Sequence, residues 1–502
     1  MQLNKVGELK YSKQFGHFSL LFLLLSSLLV AGSFEDFKRA QQESFTKYVD
    51  ERDAAFNSYL KSQWKEYSAT KSKPLYEKEK PKSITPTLPK KIKSLGPKVR
   101  IKLKKIKKVI PKPVIKKIDI VKKVLIIEKT EVEKPKKIQK DISFDFFGQE
   151  VSFYLDKKYK TATFYPKSQK GIINFFDILA SSDFSSTLQD INSITKELAL
   201  NDWGTYLLVT KLSESLYATP DERRLFSWFI FNKLGYAVKI GLANKHVVLM
   251  HYSKKTIYST PNYTFNKKHF YVVANYAKGS VGKLYTYKQN YPDADKAMDL
   301  GLKKLPNFKK DIKSKTLSFR EFGNTYTTTY HYDQNLLDFM ATYPQADYET
   351  YFNAPMSESV YQEIAKDMKK YVDSKKSSVA INFVLSFVQK AFAYQIDQDQ
   401  FGREKVMFAE ETLYYDKSDC EDRAILFSYL VKELFGVTVV GVKYKDHMAT
   451  ALHIPMKGDS VKAGNKDYVI ADPTYINANI GQSMPQYKSQ IPQSFIHVRA
   501  GI

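Results

Sequence analysis

The chain carries a single cysteine, Cys420, in the run Ser418-Asp419-Cys420-Glu421-Asp422-Arg423. One cysteine cannot close an internal disulfide, so the thiol is read for reactivity instead. Downstream stand His447, at the head of His447-Met448-Ala449-Thr450-Ala451, and Asp472, in Ala471-Asp472-Pro473-Thr474-Tyr475. Cysteine, histidine and aspartate are the parts of a thiol nucleophile, the base that takes its proton and the carboxylate that orients the base.

These residues need elements to hold them. The run from Ala424 to Leu434 is apolar nearly all round and ends at Gly436, which predicts a buried helix with a glycine C-cap. Asp419 or Ser418 caps its start, so Cys420 falls in the first turn. There the free N–H groups and the helix dipole favour a thiolate and can stabilise an oxyanion. Residues 437–442 read as a strand and 443–446 as a tight turn. His447, Ala449, Ala451 and His453 then share one face of a second strand. His453 lies about 20 Å further along at roughly 3.4 Å per residue, too far to serve the same thiol. Residues 468–471 form a third strand. An antiparallel pairing would set Asp472 beside His447, where it fixes the imidazole tautomer.

Asp419, Glu421 and Asp422 oppose ionisation of the neighbouring thiol. Arg423, Arg403 or a bound cation would have to offset them. A cluster of hard oxygen ligands suits Ca²⁺. The plainer reading is that Asp419 and Asp422, three apart, are a capping pair.

The helix opening Asp-Cys-Glu-Asp, the His-Met-Ala-Thr-Ala strand and the Ala-Asp-Pro-Thr-Tyr strand together resemble the transglutaminase-like superfamily, which has a papain-like core. The resemblance spans residues 377–485. The runs Ala393-Tyr394-Gln395-Ile396-Asp397-Gln398-Asp399-Gln400-Phe401-Gly402 and Glu410-Glu411-Thr412-Leu413 are similar to bacterial transglutaminase-like cysteine proteinases. This implies cleavage of surface proteins in the periplasm, with Asp419, Glu421 and Asp422 as calcium ligands and no cofactor otherwise required. It also implies an upstream side chain completing the oxyanion hole, for which Gln395 is the candidate, with Gln398 and Gln400 as competitors. The chain departs from the pattern at Arg423-Ala424, where members carry an aromatic residue, and in its long N-terminal extension.

That extension divides by composition. Residues 1–33 hold Lys5, Lys10 and Lys13 ahead of an apolar run, as in a signal peptide or an uncleaved anchor; Ser33 stands where a lipoprotein would need its cysteine. Both readings place the bulk of the chain in the periplasm or cell envelope. In residues 34–69, Phe34, Phe45, Phe56 and Tyr67 recur every eleven residues, as do Phe37, Tyr48 and Tyr59. An eleven-residue period, about 3.67 residues per turn, keeps one helix face apolar, for a coiled coil with another copy or for docking on the chain itself.

Residues 71–140 carry 25 Lys and Arg against 6 Asp and Glu, an excess of 19 out of a formal net charge of +26. Interleaved with proline, the segment 70–140 reads as a disordered basic stalk, with room for a short strand near 121–128. It could hold to anionic envelope surfaces. Export argues against nucleic acid as its partner.

The chain is 43% hydrophobic and 14% aromatic, enough for large cores. The fold class expected is α+β. Strands are expected at 144–154 and 159–165 and helices at 172–180, 187–211 and from Asp221 to Leu234. Residues 141–300 form a domain that echoes the C-terminal one. Phe226-Ser227-Trp228-Phe229 matches Phe427-Ser428-Tyr429-Leu430 at an offset of 201, Gly235 matches Gly436, Val238 matches Val439 and His246 matches His447. Cys420 falls on Thr219, so the first copy would be a degenerate duplicate without the nucleophile. Residues 301–370 read as a β-rich module with a turn at Gly323-Asn324, and residues 371–502 as the catalytic domain.

The expected function is an exported thiol enzyme, a protease or amidase acting on a protein or peptide substrate. The alternatives are a cross-linking transglutaminase and a non-catalytic envelope scaffold in which the triad is a relic.

Overall fold

A computed structural model describes residues 34–62, 64–103, 140–275 and 281–499. The expected signal segment and the expected strand at 121–128 lie outside these residues. The architecture is mixed α+β. Residues 34–52 form one unit, entirely helical, and residues 53–502 a second. Among the described residues no helix is long and apolar enough to cross a membrane.

The eleven-residue repeat does form a helix, Phe34–Leu60, but the helix stops short of the last repeat. Tyr67 lies instead in the strand Lys65–Ser68, opposite Leu284 in an antiparallel pair with Lys283–Thr286. The end of the apolar stripe is spent on the chain's own core: Phe56 lies 5.1 Å from Tyr291 and 5.5 Å from Phe176, centroid to centroid, and Leu60 is buried. Over residues 53–60 the stripe thus docks on the chain itself.

Several boundaries differ from the sequence pattern. The strand expected at 144–154 is a hairpin, Ile142–Phe146 with Gln149–Phe153, because Phe147 and Gly148 both take positive φ and reverse the chain. Residues 159–165 are no strand; Lys157–Thr161 is a short 3₁₀ helix that buries Tyr159. The helix expected at 187–211 is two, Phe184–Glu197 and Asp202–Leu216, the second capped by the Asn201 side chain accepting from Gly204 N at 3.0 Å. The helix Pro220–Lys233 follows as expected, capped by Thr219.

The first half is completed by a six-stranded antiparallel sheet. Its neighbour order is Asn262–Phe265, Lys268–Tyr271, His246–Tyr252, Val238–Ala243, Lys283–Thr286 and the edge strand Lys65–Ser68. The C-terminal half contains the helix Cys420–Phe435 and a five-stranded antiparallel sheet. Its order is Ser460–Ala463, Lys466–Ala471, Met448–Leu452, Val439–Lys443 and Ser494–His497. Apart from the edge strand Lys65–Ser68, the two sheets have the same strand order and the same polarity. The registers of their central hairpins coincide at the offset of 201: Val238 faces His251, and Val439 faces Leu452.

Between the halves stands one long hairpin, Ile312–Glu321 with Asn324–Asp333. Its turn is centred on Phe322 and Gly323, one residue earlier than expected, again with both φ positive. Leu317, Phe319, Thr328, Tyr330 and Tyr332 face inward. The region 301–370 is not β-rich beyond this. Helices Gln334–Ala341, Tyr348–Phe352 and Glu358–Val372 follow, and the last packs on Asn324–Asp333. One apolar core runs through both halves, from Phe56 through Phe229 to Phe427.

The basic stalk is corrected over its described part. Residues 71–103 are extended, but they are bound along the folded unit rather than disordered. Thr70 bridges Asn262, Ser72 Oγ donates to Ile257 O, Thr87 N donates to Ile476 O, and Val99 N donates to Lys375 O. Leu75, Tyr76, Lys80 and Ile101 are buried. The other lysines from Lys71 to Lys102 are exposed, so an anionic partner for this face is still physically open.

Candidate active site

The nucleophile's position is set by a capped helix. Asp419 is the N-cap and Cys420 the first helical residue. Asp422 Oδ2 accepts from Asp419 N at 3.3 Å, and its Oδ1 accepts from Met407 N at 2.8 Å. At the other end Gly436 adopts a left-handed cap. A short parallel pairing of Ala393–Tyr394 with Lys417–Ser418 ties the helix start to the preceding segment.

The base comes from the sheet on which this helix packs. His447 immediately precedes Met448–Leu452, and Asp472 immediately follows Lys466–Ala471. Thr450 faces Ala471, so the two side chains meet at one end of an antiparallel pair. His447 Nε2 donates to Asp472 Oδ2 at 2.8 Å, with both residues buried. Asp472 Oδ1 accepts from Thr474 N at 2.9 Å, which fixes the carboxylate. The ring is stacked on Tyr487, 4.6 Å between centroids. Nδ1 is buried with no hydrogen-bond partner. With the proton on Nε2, Nδ1 is the basic nitrogen.

Cys420 is 0% exposed. Its Sγ donates to Glu421 Oε2 at 3.1 Å, and the Tyr76 hydroxyl lies 3.8 Å away. The sulfur makes no hydrogen bond to His447 in this arrangement. Burial, then the charges of Glu421 and Asp419, push the thiol well above its usual pKa. The group is therefore held as a neutral thiol rather than the thiolate expected at a helix N-terminus: desolvation and two carboxylates outweigh the dipole.

The acidic residues arrange themselves differently from the sequence expectation. Asp397, Asp419 and Glu421 converge, with one carboxylate oxygen from each within 4.8 Å of the others. Asp422 is not part of this set, being occupied by the two backbone N–H groups above, as a capping partner. Asp397, from the run Ala393 to Gly402, takes the third place instead.

The middle of the cluster is filled by Lys80. Its Nζ lies 2.5 Å from Glu421 Oε1, 2.6 Å from Asp419 Oδ2, 2.9 Å from Glu404 Oε2 and 3.3 Å from Asp397 Oδ2. Burial works against the charge on Lys80, but Asp419, Glu421, Asp397 and Glu404 overcome it and hold the pKa well above normal. Calcium implied by the resemblance does not fit beside this ammonium, because an ion drawing on the same oxygens at about 2.3–2.6 Å would overlap it. Asp397 Oδ1 and Asp419 Oδ1 remain buried without hydrogen-bond partners.

The cation that offsets the acids is thus neither Arg423 nor Arg403. Arg423 is fully buried, donating to Ser418 Oγ (3.1 Å), Gln389 O (3.3 Å) and Phe392 O (2.8 Å). Arg403 donates to Glu404 O. Gln395 N donates to Ser418 O, two residues before Cys420, which brings Gln395 beside the start of the nucleophile's helix, while the Gln398 and Gln400 side chains bond Gly402 O and Lys417 O. His453 bonds Asp467 O at the exposed end of its strand, away from the site as expected.

Sequence reasoning missed Tyr76 and Lys80 altogether. The only local signal is an apolar-aromatic pair, Leu75-Tyr76, and two glutamates, Glu77 and Glu79, inside an otherwise lysine- and proline-dominated stretch.

The equivalent place in the first half is open. A cleft of about 800 Å³ is lined by Thr219, Asp221, Arg224 and His246, among others. His246 Nδ1 lies 3.1 Å from Asp221 Oδ2. By sheet register Tyr271, opposite His251, corresponds to Val469, opposite Leu452, so Ala274 stands at the place of Asp472. With Thr219 for cysteine and Ala274 for aspartate, this cleft lacks two of the three groups. No family model, curated protein or solved structure matches the chain.

Proposed function

We propose that the chain is a cysteine-dependent acyl-transfer enzyme, a protease or amidase acting on protein or peptide substrates in the cell envelope. The observation that carries this reading is the buried His447–Asp472 pair, with its basic nitrogen left without a partner, on the sheet against which the Cys420 helix packs. The helix and antiparallel sheet agree with a transglutaminase-like, papain-like core, and the matched strand order and hairpin register support a duplication whose first copy lost the nucleophile.

In the reaction, the thiol leaves Glu421 for His447 Nδ1, which takes the proton as sulfur attacks the amide carbonyl. N–H groups of the first helical turn receive the developing oxyanion. The imidazolium, held by Asp472, returns its proton to the departing amine. Water, deprotonated by the same nitrogen, then releases the acyl group and restores the thiol. Water is the favoured second nucleophile because the resemblance is to proteinases rather than to cross-linking enzymes.

The sealed sulfur favours a second reading, a scaffold with a relic triad. A comparison of cleaved envelope proteins between cells carrying wild type, Cys420→Ala and His447→Ala decides between them. The enzyme reading expects one set of cleavages lost in both variants. Identical profiles in all three would leave the scaffold.

A further inference from the structure

Part of the cover over Cys420 comes from far outside the domain that carries it. The Tyr76 hydroxyl lies 3.8 Å from Sγ and donates to Glu421 Oε2 at 3.0 Å, the same oxygen that holds the thiol hydrogen. Four residues on, Lys80 enters the pocket of Asp397, Glu404, Asp419 and Glu421. Pro81 O accepts from the Tyr394 hydroxyl at 3.0 Å, and Lys443 Nζ lies 5.0 Å over the Tyr76 ring. Both plugs are separated from the site by more than 300 residues of chain, 344 for Tyr76 and Cys420 and 339 for Lys80 and Asp419.

The segment carrying them is built to be released. Between the bridges at Thr70 and Lys98 it has no regular secondary structure. It is held by separate hydrogen bonds and by three buried anchors, Leu75, Tyr76 and Lys80, with exposed residues between and after them. Segments with few buried contacts open locally before the core does. Lys80 takes the place that the resemblance gives to a divalent cation, so the ammonium serves as the cation of this pocket and anchors the segment in it.

We propose that residues 70–101 are an inhibitory strap, with Tyr76 as the plug over the thiol and Lys80 as its electrostatic latch. The groove under Tyr76 is then the path of an extended substrate segment across Cys420, and the enzyme works only once the strap has withdrawn. This rests on the reading of Cys420 as the nucleophile.

The test is the rate at which iodoacetamide alkylates Cys420, the sole thiol, in the purified full chain at neutral pH, followed by intact mass. Wild type should react at least tenfold more slowly than Tyr76→Ala and Lys80→Met, while Lys80→Arg, which keeps the charge, stays protected. In wild type alone, urea too dilute to change the helical circular dichroism should already expose the thiol. This second measurement serves if the variants fail to fold. Native wild type reacting as fast as the chain in full denaturant would overturn the strap, and so would folded Tyr76→Ala and Lys80→Met chains as inert as wild type.

His447→Ala in the Tyr76→Ala background separates the two proposals. Fast labelling that slows without His447 supports both. Fast labelling indifferent to His447 keeps the strap and removes the triad. Fast labelling of wild type that depends on His447 keeps the triad and removes the strap.

Discussion

Two buried histidines show how one side chain takes opposite roles from its partners. His447 donates Nε2–H to Asp472 and keeps Nδ1 as a base. His251, on the matching strand of the first half, has no hydrogen-bond partner at either nitrogen and stands edge-on to the rings of Tyr206 and Phe231. Burial pulls its pKa down to about 3 from 6.5. Above pH 6.5 it is neutral folded or unfolded. As pH falls below that, the unfolded chain takes up the proton and the folded chain does not, so this residue withdraws stability progressively between 6.5 and about 3. The position equivalent to His251 in the second half is Leu452. His251→Leu should therefore be at least as stable as wild type at pH 7 and should lose less stability on acidification. Urea midpoints at pH 7 and pH 5 measure this; equal losses for the two chains would contradict it.

At the scale of elements, the C-terminal half was legible where local chemistry and tertiary packing agree. The helix Cys420–Phe435 ends at Gly436 with φ of +64°, and the helix Pro220–Lys233 runs out at Gly235 with φ of +82°. An added Cβ at either glycine would meet nothing within 4 Å. Gly436→Ala should thus cost only the left-handed backbone penalty, roughly 1–2 kcal/mol, and Gly436→Asn less. Urea titration of the two variants tests this, and a much larger loss from alanine would mean a steric role instead. The alternation after His447 and the stop at Pro473 gave the hairpin and the meeting of His447 with Asp472, although Met448–Leu452 proves to be buried on both faces. The pattern failed at Phe147-Gly148, where alternation runs on through a tight turn of two positive-φ residues, and at Tyr67, whose eleven-residue spacing suits a helix while its backbone completes a sheet edge. Arg423, which follows Glu421 and Asp422 in sequence, gives its hydrogen bonds to three oxygens from residues 389, 392 and 418. Spacing carries no information about that choice.

For the whole molecule, the least legible feature is the most consequential. Free or bound, a lysine- and proline-rich segment has the same composition, and only the fold brings Lys80 to carboxylates that lie far along the chain. That closure settles how the protein should respond to calcium. The pocket holds four carboxylates around one ammonium, and removing that ammonium leaves buried charge uncompensated, a loss of about 3–5 kcal/mol for comparable buried pairs. With Lys80 seated, a divalent ion has no room, so melting of the wild-type chain should be the same in Ca²⁺ and in EGTA. In Lys80→Ala the buried oxygens of Asp397, Asp419 and Glu421 are left facing one another within 4.8 Å, a spacing that an ion of six to eight oxygen ligands can bridge. This variant should melt lower than wild type in EGTA and recover part of the difference in Ca²⁺. Scanning calorimetry of both chains under both conditions reads the result. A calcium-dependent rise in the wild type would mean that the ion already displaces the lysine, and a Lys80→Ala chain indifferent to calcium would mean that the acids need an ammonium and cannot cradle a metal.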